Sequence, residues 1–439
     1  MAQSSFPRDA YSERSDLSVL GIATGAALVF LLVAFPVVRI LVRLYVPSVG
    51  WHMSMRLLTG TLELIVVTLA LCDRTLTWPK LMSGRPHWIR VLAVLWLTWA
   101  TIAVALSPAP LVSAIRQLEW IVHGIFGIAV CAYLVTYDDW RPRLLRYLVI
   151  GFLFYAVVIT LLLLSVPDPD SYPWTAGVLG FSNVRHFGYF IAIALVAAYT
   201  PFVTRNADQK QLAAPFVILT LIYAYLAWAG GRGPYLGIVC AFAILVLCDC
   251  LPNWRRLAIM SAVALVLGAV ISIPFTPADP SFGAFRFLIR STEIHGADAF
   301  TSGRIEIWMK SIEMIREHPF FGIGPDQFRV TLGDSPIIYF QPHNGFLQTA
   351  LEWGIPGGLL FWSVLMGLMV MGCRRLRRHR DPAAIVGFGL ALTLLFVSTV
   401  DGTLCYAMPL SALGLAFALV FSGKGHNIPA LGHPANQKT

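Results

Sequence analysis

The sequence predicts an all-α polytopic membrane protein, and three observations carry that prediction. Hydrophobic residues make up 57% of the chain and charged residues only 13%, an apolar excess that a soluble chain of this length cannot hide in its core. The apolar residues fall in long runs, each able to cross or nearly cross the roughly 30 Å hydrocarbon core. Lys and Arg gather on alternate connections between the runs, as the positive-inside rule requires of a chain that threads back and forth.

Twelve spans are expected. The first nine fall at about Leu17–Phe35, Met53–Cys72, Trp88–Leu106, Ala114–Leu134, Arg146–Ser165, His186–Pro201, Leu212–Ala229, Tyr235–Cys248 and Leu257–Phe275. Three more follow at about Ile355–Met371, Ile385–Val400 and Ala407–Ser422. The first run follows a polar stretch with Arg8 and Arg14 and lacks a small-residue cleavage site, so it reads as a retained span.

Orientation follows from the cations. With the N-terminus inside, internal loops carry Arg74, Lys80, Arg85, Arg90, Arg141, Arg143, Arg146, Arg205, Lys210, Arg255 and Arg256, and the Arg374, Arg375, Arg377, Arg378, Arg380 cluster is also inside. External connections are poor in positive charge, with Arg39, Arg43 and Arg56 as the main exception. Both termini are therefore expected in the cytoplasm, and the net charge of +9 reads as a topology signal rather than a nucleic-acid footprint.

The expected organisation is residues 1–275 as nine spans, 276–354 as one long external loop, 355–422 as three spans and 423–439 as a flexible cytoplasmic tail. The seven cysteines lie in or beside spans, leaving no external disulfide, and Cys248 and Cys250 lack partners at zinc spacing.

The long loop is where chemistry is expected, because spans can be joined by a few residues and a long Arg- and His-bearing connection needs another reason to exist. It holds Arg286, Arg290, Arg304, Arg316 and Arg329. From Arg304 to Ile315 the apolar Ile305, Trp308, Ile312 and Ile315 share a helical face, with Ser302-Gly303 before it and His318-Pro319 after it as start and stop. Pro319-Phe320-Phe321-Gly322-Ile323-Gly324-Pro325 is a turn whose glycines permit close backbone approach. His343 opens a short helix to Leu351, ended by Gly354 and Pro356. Of ten histidines, His343 is the one singled out.

Two further sites face the same side. Gly230-Gly231-Arg232-Gly233-Pro234 begins the eighth span, with Pro234 fitting the first helical position, and a helix start beside Arg232 suits a phosphate. Asn183-Val184-Arg185-His186 begins the sixth. Arg116, Glu119 and His123 share one face of the fourth span and either serve function or satisfy one another, while Glu63 and Asp401 are further ionisable candidates. Asp168-Pro169-Asp170 reads as an acidic turn rather than a Mg²⁺ site.

Four motifs, in this order, resemble the O-antigen ligase and polymerase superfamily: Gly231-Arg232-Gly233; Ser302-Gly303-Arg304 with Trp308; His318-Pro319-Phe320-Phe321-Gly322-Ile323-Gly324; and Pro342-His343-Asn344-Gly345-Phe346-Leu347 with Glu352-Trp353-Gly354. The motif resemblance covers Arg232 to Gly358. It implies a GT-C-like fold and a glycosyltransferase that moves glycan from undecaprenyl pyrophosphate to lipid A-core at the periplasmic face of the inner membrane. No metal and no cofactor are expected. In that scheme His343 is the general base; Arg232, Arg185 and Arg304 stabilise the departing pyrophosphate; and Asn344, His186, Asp401, Arg116 and Glu119 are candidate glycan or pyrophosphate contacts. A compact chain looks more like the ligases than the protein O-oligosaccharyltransferases, and an O-antigen repeat polymerase stays the alternative. A transporter, the reading from another class, would show repeats and a midplane site.

Overall fold

The computed structural model describes residues 18–45, 51–73, 86–174, 178, 180–181, 183–204, 210–277, 282–283, 304–331 and 338–423. Arg8, Arg14, Arg74, Lys80, Arg85, Arg205, Arg286, Arg290, Ser302, Gly303 and the tail after Gly423 lie outside the described residues.

The fold is all-α and polytopic. Helix α1 (Val19–Val29) runs through a π-helical turn, Phe30–Ala34, into α2 (Phe35–Tyr45). Then come α3 (Trp51–Cys72), α4 (His87–Ala105), α5 (Pro110–Thr136), α6 (Trp140–Ser165) and α7 (Val184–Ala198). The next three are α8 (Ala213–Ala229), α9 (Arg232–Leu247) and α10 (Trp254–Ser272). The loop contributes α11 (Arg304–Glu317) and a two-residue antiparallel ladder in which β1 (Val330–Thr331) pairs with β2 (Ile338–Tyr339). The chain closes with α12 (Gly345–His379), α13 (Pro382–Val400) and α14 (Ala407–Ser422).

Among the described residues ten helices are long and apolar enough to cross a membrane. The shorter apolar α9 and α14 fall where the eighth and twelfth spans are expected. Local chemistry sets the ends: Ser18 accepts from Gly21 N–H, Asn183 from Arg185 N–H and Asp381 from Ala384 N–H, and Pro110 and Pro382 sit in first turns where a missing N–H costs nothing. Two details differ from expectation. Pro234 is the third residue of α9, which already begins at Arg232 after the left-handed Gly230 that ends α8. Cys250 has a thiol neighbour that sequence spacing does not reveal, Cys373, with the sulfurs 3.9 Å apart.

Lipid tails solvate apolar side chains as well as other helices do, so packing in a bilayer rests on close fit rather than on expelling water. The bundle meets that demand with buried aromatics. Trp353 is fully buried, edge-on to Trp96 at 5.1 Å and to Trp120 at 5.4 Å, and its indole N–H reaches Gln117 Oε1 at 3.0 Å.

Trp353 stands beside the break that organises the loop. Gly354 has φ 72° and ψ 173° inside α12, so the helical bond between Leu351 C=O and Ile355 N–H is not made. Each half finds a partner on the loop: Ile323 N–H donates to Leu351 C=O at 2.7 Å, and Ile355 N–H donates to Pro319 C=O at 2.8 Å. Trp99 adds its indole N–H to Phe320 and Trp353 carbonyls at 3.2 and 3.0 Å. The approach leaves no room for side chains, since a Cβ on Gly322 would lie 2.2 Å from Leu351 O and one on Gly354 2.0 Å from Phe320 O. The Pro319–Gly324 turn and the Glu352-Trp353-Gly354 motif are thus two halves of one backbone clasp.

Candidate functional site

His343 lies one residue before the cap of α12, with φ 53° in the left-handed region. Histidine tolerates that region better than most residues, and such conformations concentrate at functional sites. Asn344 fixes the turn: its Oδ1 accepts from Phe346 and Leu347 N–H at 2.9 and 3.1 Å, and its Nδ2 donates to Thr399 C=O at 2.9 Å. Trp308 on α11 holds the preceding carbonyl, donating to Pro342 O at 2.9 Å.

The ring is thereby brought to the end of α13. His343 Nδ1 is 2.9 Å from Asp401 Oδ1, which also accepts from Gly402 N–H at 2.8 Å. Arg304 Nη2 is 3.4 Å from Asp401 Oδ2, and its Nη1 donates to Val400 C=O. Burial alone would raise the Asp401 carboxyl, but the hydrogen bond and charge of His343, then the charges of Arg304 and Arg185, hold it well below the usual carboxylate range. An ionised Asp401 accepts from Nδ1–H, so Nε2 is the ring nitrogen that the carboxylate does not engage. Nε2 has no hydrogen-bond partner among the described residues, and the His343 side chain keeps 13% of its surface open.

The structure brings Arg185, His186, Arg304, His343, Asn344 and Asp401 together. The Arg185 guanidinium has no hydrogen-bond or ion-pair partner among the described residues and acts on Asp401 and Tyr406 through its charge. The His186 ring lies 3.9 Å from that of Tyr406, whose hydroxyl accepts from Gln341 Nε2. Arg304 does not pair with Glu306 or Glu313; Lys310 takes Glu306 at 3.4 Å, which frees Arg304 for Asp401. Arg232 stands half-buried in the first turn of α9.

Arg116 and Glu119 belong to a bracing network. Arg116 Nη1 meets Glu119 Oε2 at 2.6 Å, and its Nη2 donates to Cys405 C=O at 3.0 Å, in the turn that follows Asp401. Arg56 joins Glu119 at 2.9 Å to loop residue Asp326 at 3.1 Å. His123, buried on the same helix as Arg116, pairs with Glu63 instead, at 2.7 Å inside the bundle. Asp168 closes its own turn, accepting from Asp170 N–H at 3.2 Å.

Arg56, Gln341 and Tyr406 were not legible as parts of the site. Arg56 counted only as an exception to the charge pattern, and that exception has a structural origin: Arg39 is 1% exposed inside the bundle and Arg56 is spent on two carboxylates.

Fold and site together define a polytopic membrane protein with a His–Asp pair and arginines at one end of its bundle. Residues 215–362 match the family model described as Wzy_C, O-Antigen ligase. The chain is also 28% identical over 186 residues to an O-antigen ligase of Pseudomonas aeruginosa strain PAO1; the aligned stretch covers 41% of this chain and 40% of that relative. Over these stretches the chain is similar to the O-antigen ligases.

Proposed function

We propose that this protein is an O-antigen ligase of the inner membrane, transferring glycan from undecaprenyl pyrophosphate to a sugar hydroxyl of lipid A-core at the periplasmic face. The observation that carries the reading is the His343 to Asp401 contact at 2.9 Å, which leaves Nε2 open, with the Arg185 cation acting on the same Asp401.

In this reading Nε2 takes the proton of the acceptor hydroxyl while that oxygen bonds to the anomeric carbon. The bond from that carbon to the pyrophosphate oxygen breaks, and its electron pair leaves with the pyrophosphate. Asp401 stabilises the imidazolium that forms, and Arg304 holds Asp401 in place. Arg185 and Arg232 offer guanidinium forks to the departing phosphates, and the α9 start adds backbone donors. Asn344 sets the backbone turn of His343, and His186 with Tyr406 forms the floor. Arg116 and Glu119 brace the turn after Asp401 instead of touching substrate. One displacement inverts the anomeric centre, and the scheme requires neither metal nor cofactor.

The test is transfer by the purified protein in EDTA, with an undecaprenyl-pyrophosphate glycan and lipid A-core as substrates. The expected product is glycan on the core with an inverted linkage. Glycan lengthened on the lipid carrier would make the protein a repeat polymerase, and activity restored only by Mg²⁺ or Mn²⁺ would remove the metal-free scheme.

A further inference from the structure

At the end of α12 opposite His343, its last turns meet the end of α9. The sequence closes α9 with a tight turn. Cys248 N–H donates to Ile244 C=O at 2.8 Å, Asp249 N–H to Val246 C=O at 3.0 Å and Cys250 N–H to Leu245 C=O at 2.9 Å. Asp249 makes the turn in the left-handed region at φ 50°, which Asp and Asn enter more readily than most side chains. Cys250 is thereby folded back onto the helix end and is fully buried.

Two side-chain contacts hold the junction. Asp249 accepts from Arg380, just past the end of α12, at 2.5 Å. One residue on, Cys250 Sγ lies 3.9 Å from Cys373 Sγ. Cys248 also acts on Cys373, so three thiols gather where the two segments meet. The Cys250 and Cys373 sulfurs are close to van der Waals contact, and side-chain rotation is enough to bring them to bonding distance. The ion pair keeps the two backbones in place while that happens.

The thiols are not equivalent. Burial, and then the neighbouring Cys373, push the Cys250 thiol up to about 12, so it stays protonated and does not start a reaction. Cys373 is half-buried and can be reached from outside. Arg377, one turn beyond it, adds a positive charge to the group. An accessible thiol with a buried thiol behind it is the arrangement in which a first oxidation is followed by closure.

We propose that Cys250 and Cys373 form a redox modification site, closing to a disulfide on exposure to a peroxide and reopening with a thiol reductant. The Cys373 sulfur attacks a peroxide oxygen: an S–O bond forms, the O–O bond breaks, and the displaced hydroxide leaves as water with the thiol proton. The Cys250 sulfur then displaces the hydroxyl from the resulting sulfenic acid: the S–S bond forms, the S–O bond breaks, and a second water carries off the Cys250 proton. The thiol pair is oxidised and the peroxide is reduced to water. The bond makes covalent a junction between segments 123 residues apart. It ties α9 and α12 together at the ends opposite Arg232 and His343, and it does not depend on what those residues transfer.

The test uses the full chain in detergent, treated with hydrogen peroxide, blocked with N-ethylmaleimide and digested for mass spectrometry. The expected product is a peptide pair joined through Cys250 and Cys373, absent after dithiothreitol. Closing so long a loop should raise the melting temperature by about 5 °C over the reduced protein. Cys250→Ser and Cys373→Ser should lose both the link and the shift, whereas Cys248→Ser should keep both. The wild-type peptide map stands even where a variant folds poorly. A link from Cys373 to Cys248, a link between two copies of the chain, or Cys373 oxidised to sulfinic or sulfonic acid with Cys250 still alkylated overturns the proposal.

Discussion

His343 Nδ1 and Asp401 Oδ1 meet at 2.9 Å across 58 residues of sequence. The contact decides which nitrogen can act, because a carboxylate on Nδ1 fixes the tautomer and turns Nε2 outward. His343→Ala should lower kcat by about 10²–10⁴-fold while expression and donor binding stay near normal. Asp401→Asn keeps the shape but not the charge and should lower kcat more than it changes KM. Near-normal turnover in His343→Ala would take His343 out of the mechanism.

Asp401 also predicts a pH dependence of stability. Its folded value is lowered beneath the ordinary carboxylate value of about 4, so its stabilising charge is fully present above that pH and lost as pH falls toward the lowered value. The melting-temperature gap between wild type and Asp401→Asn should stay constant across neutral pH and narrow only below about pH 4. A gap that closes on mild acidification, around pH 6, would assign the effect to another group.

The arginines should differ from lysines. Arg185→Lys and Arg232→Lys retain charge but replace a planar fork with a point donor, so both should lose most transfer activity. Full activity in the Lys variants with loss in the Gln variants would show that charge alone is used.

The clasp gives a prediction that needs no substrate. Gly354→Ala places a methyl 2.0 Å from Phe320 O in a backbone region that side chains rarely adopt, and Gly322→Ala meets Leu351 O at 2.2 Å. Each should destabilise the folded protein by about 1–3 kcal/mol or more, seen as a lower melting temperature in detergent. Unchanged melting in both would mean that the loop is not held by these backbone bonds.

Much of this was legible from composition and motif. Spans declare themselves because apolar length is a property of contiguous residues, and His343 stood out by its motif. Contacts between distant segments did not. Arg304 offered its neighbours Glu306 and Glu313 as partners, whereas the fold brings it to Asp401, 97 residues later, at 3.4 Å. Arg116 and Glu119 share a helical face, so their pairing was readable, but the links to Arg56, Asp326 and Cys405 depend on how four segments assemble. Arg39 was read as a topological charge because nothing local marks an arginine that packs inward.

The exchange of partners at Gly354 also constrains the order of assembly in the bilayer. The Leu351 carbonyl and the Ile355 N–H cannot be left bare when the helix packs, because an unsatisfied buried polar group costs about 1–3 kcal/mol. Their partners, Ile323 and Pro319, are synthesised first and must be at hand when α12 closes. The segment that carries His343 at its head is therefore not an independent folding unit; it completes its own helix only by closing onto a loop that precedes it in the chain.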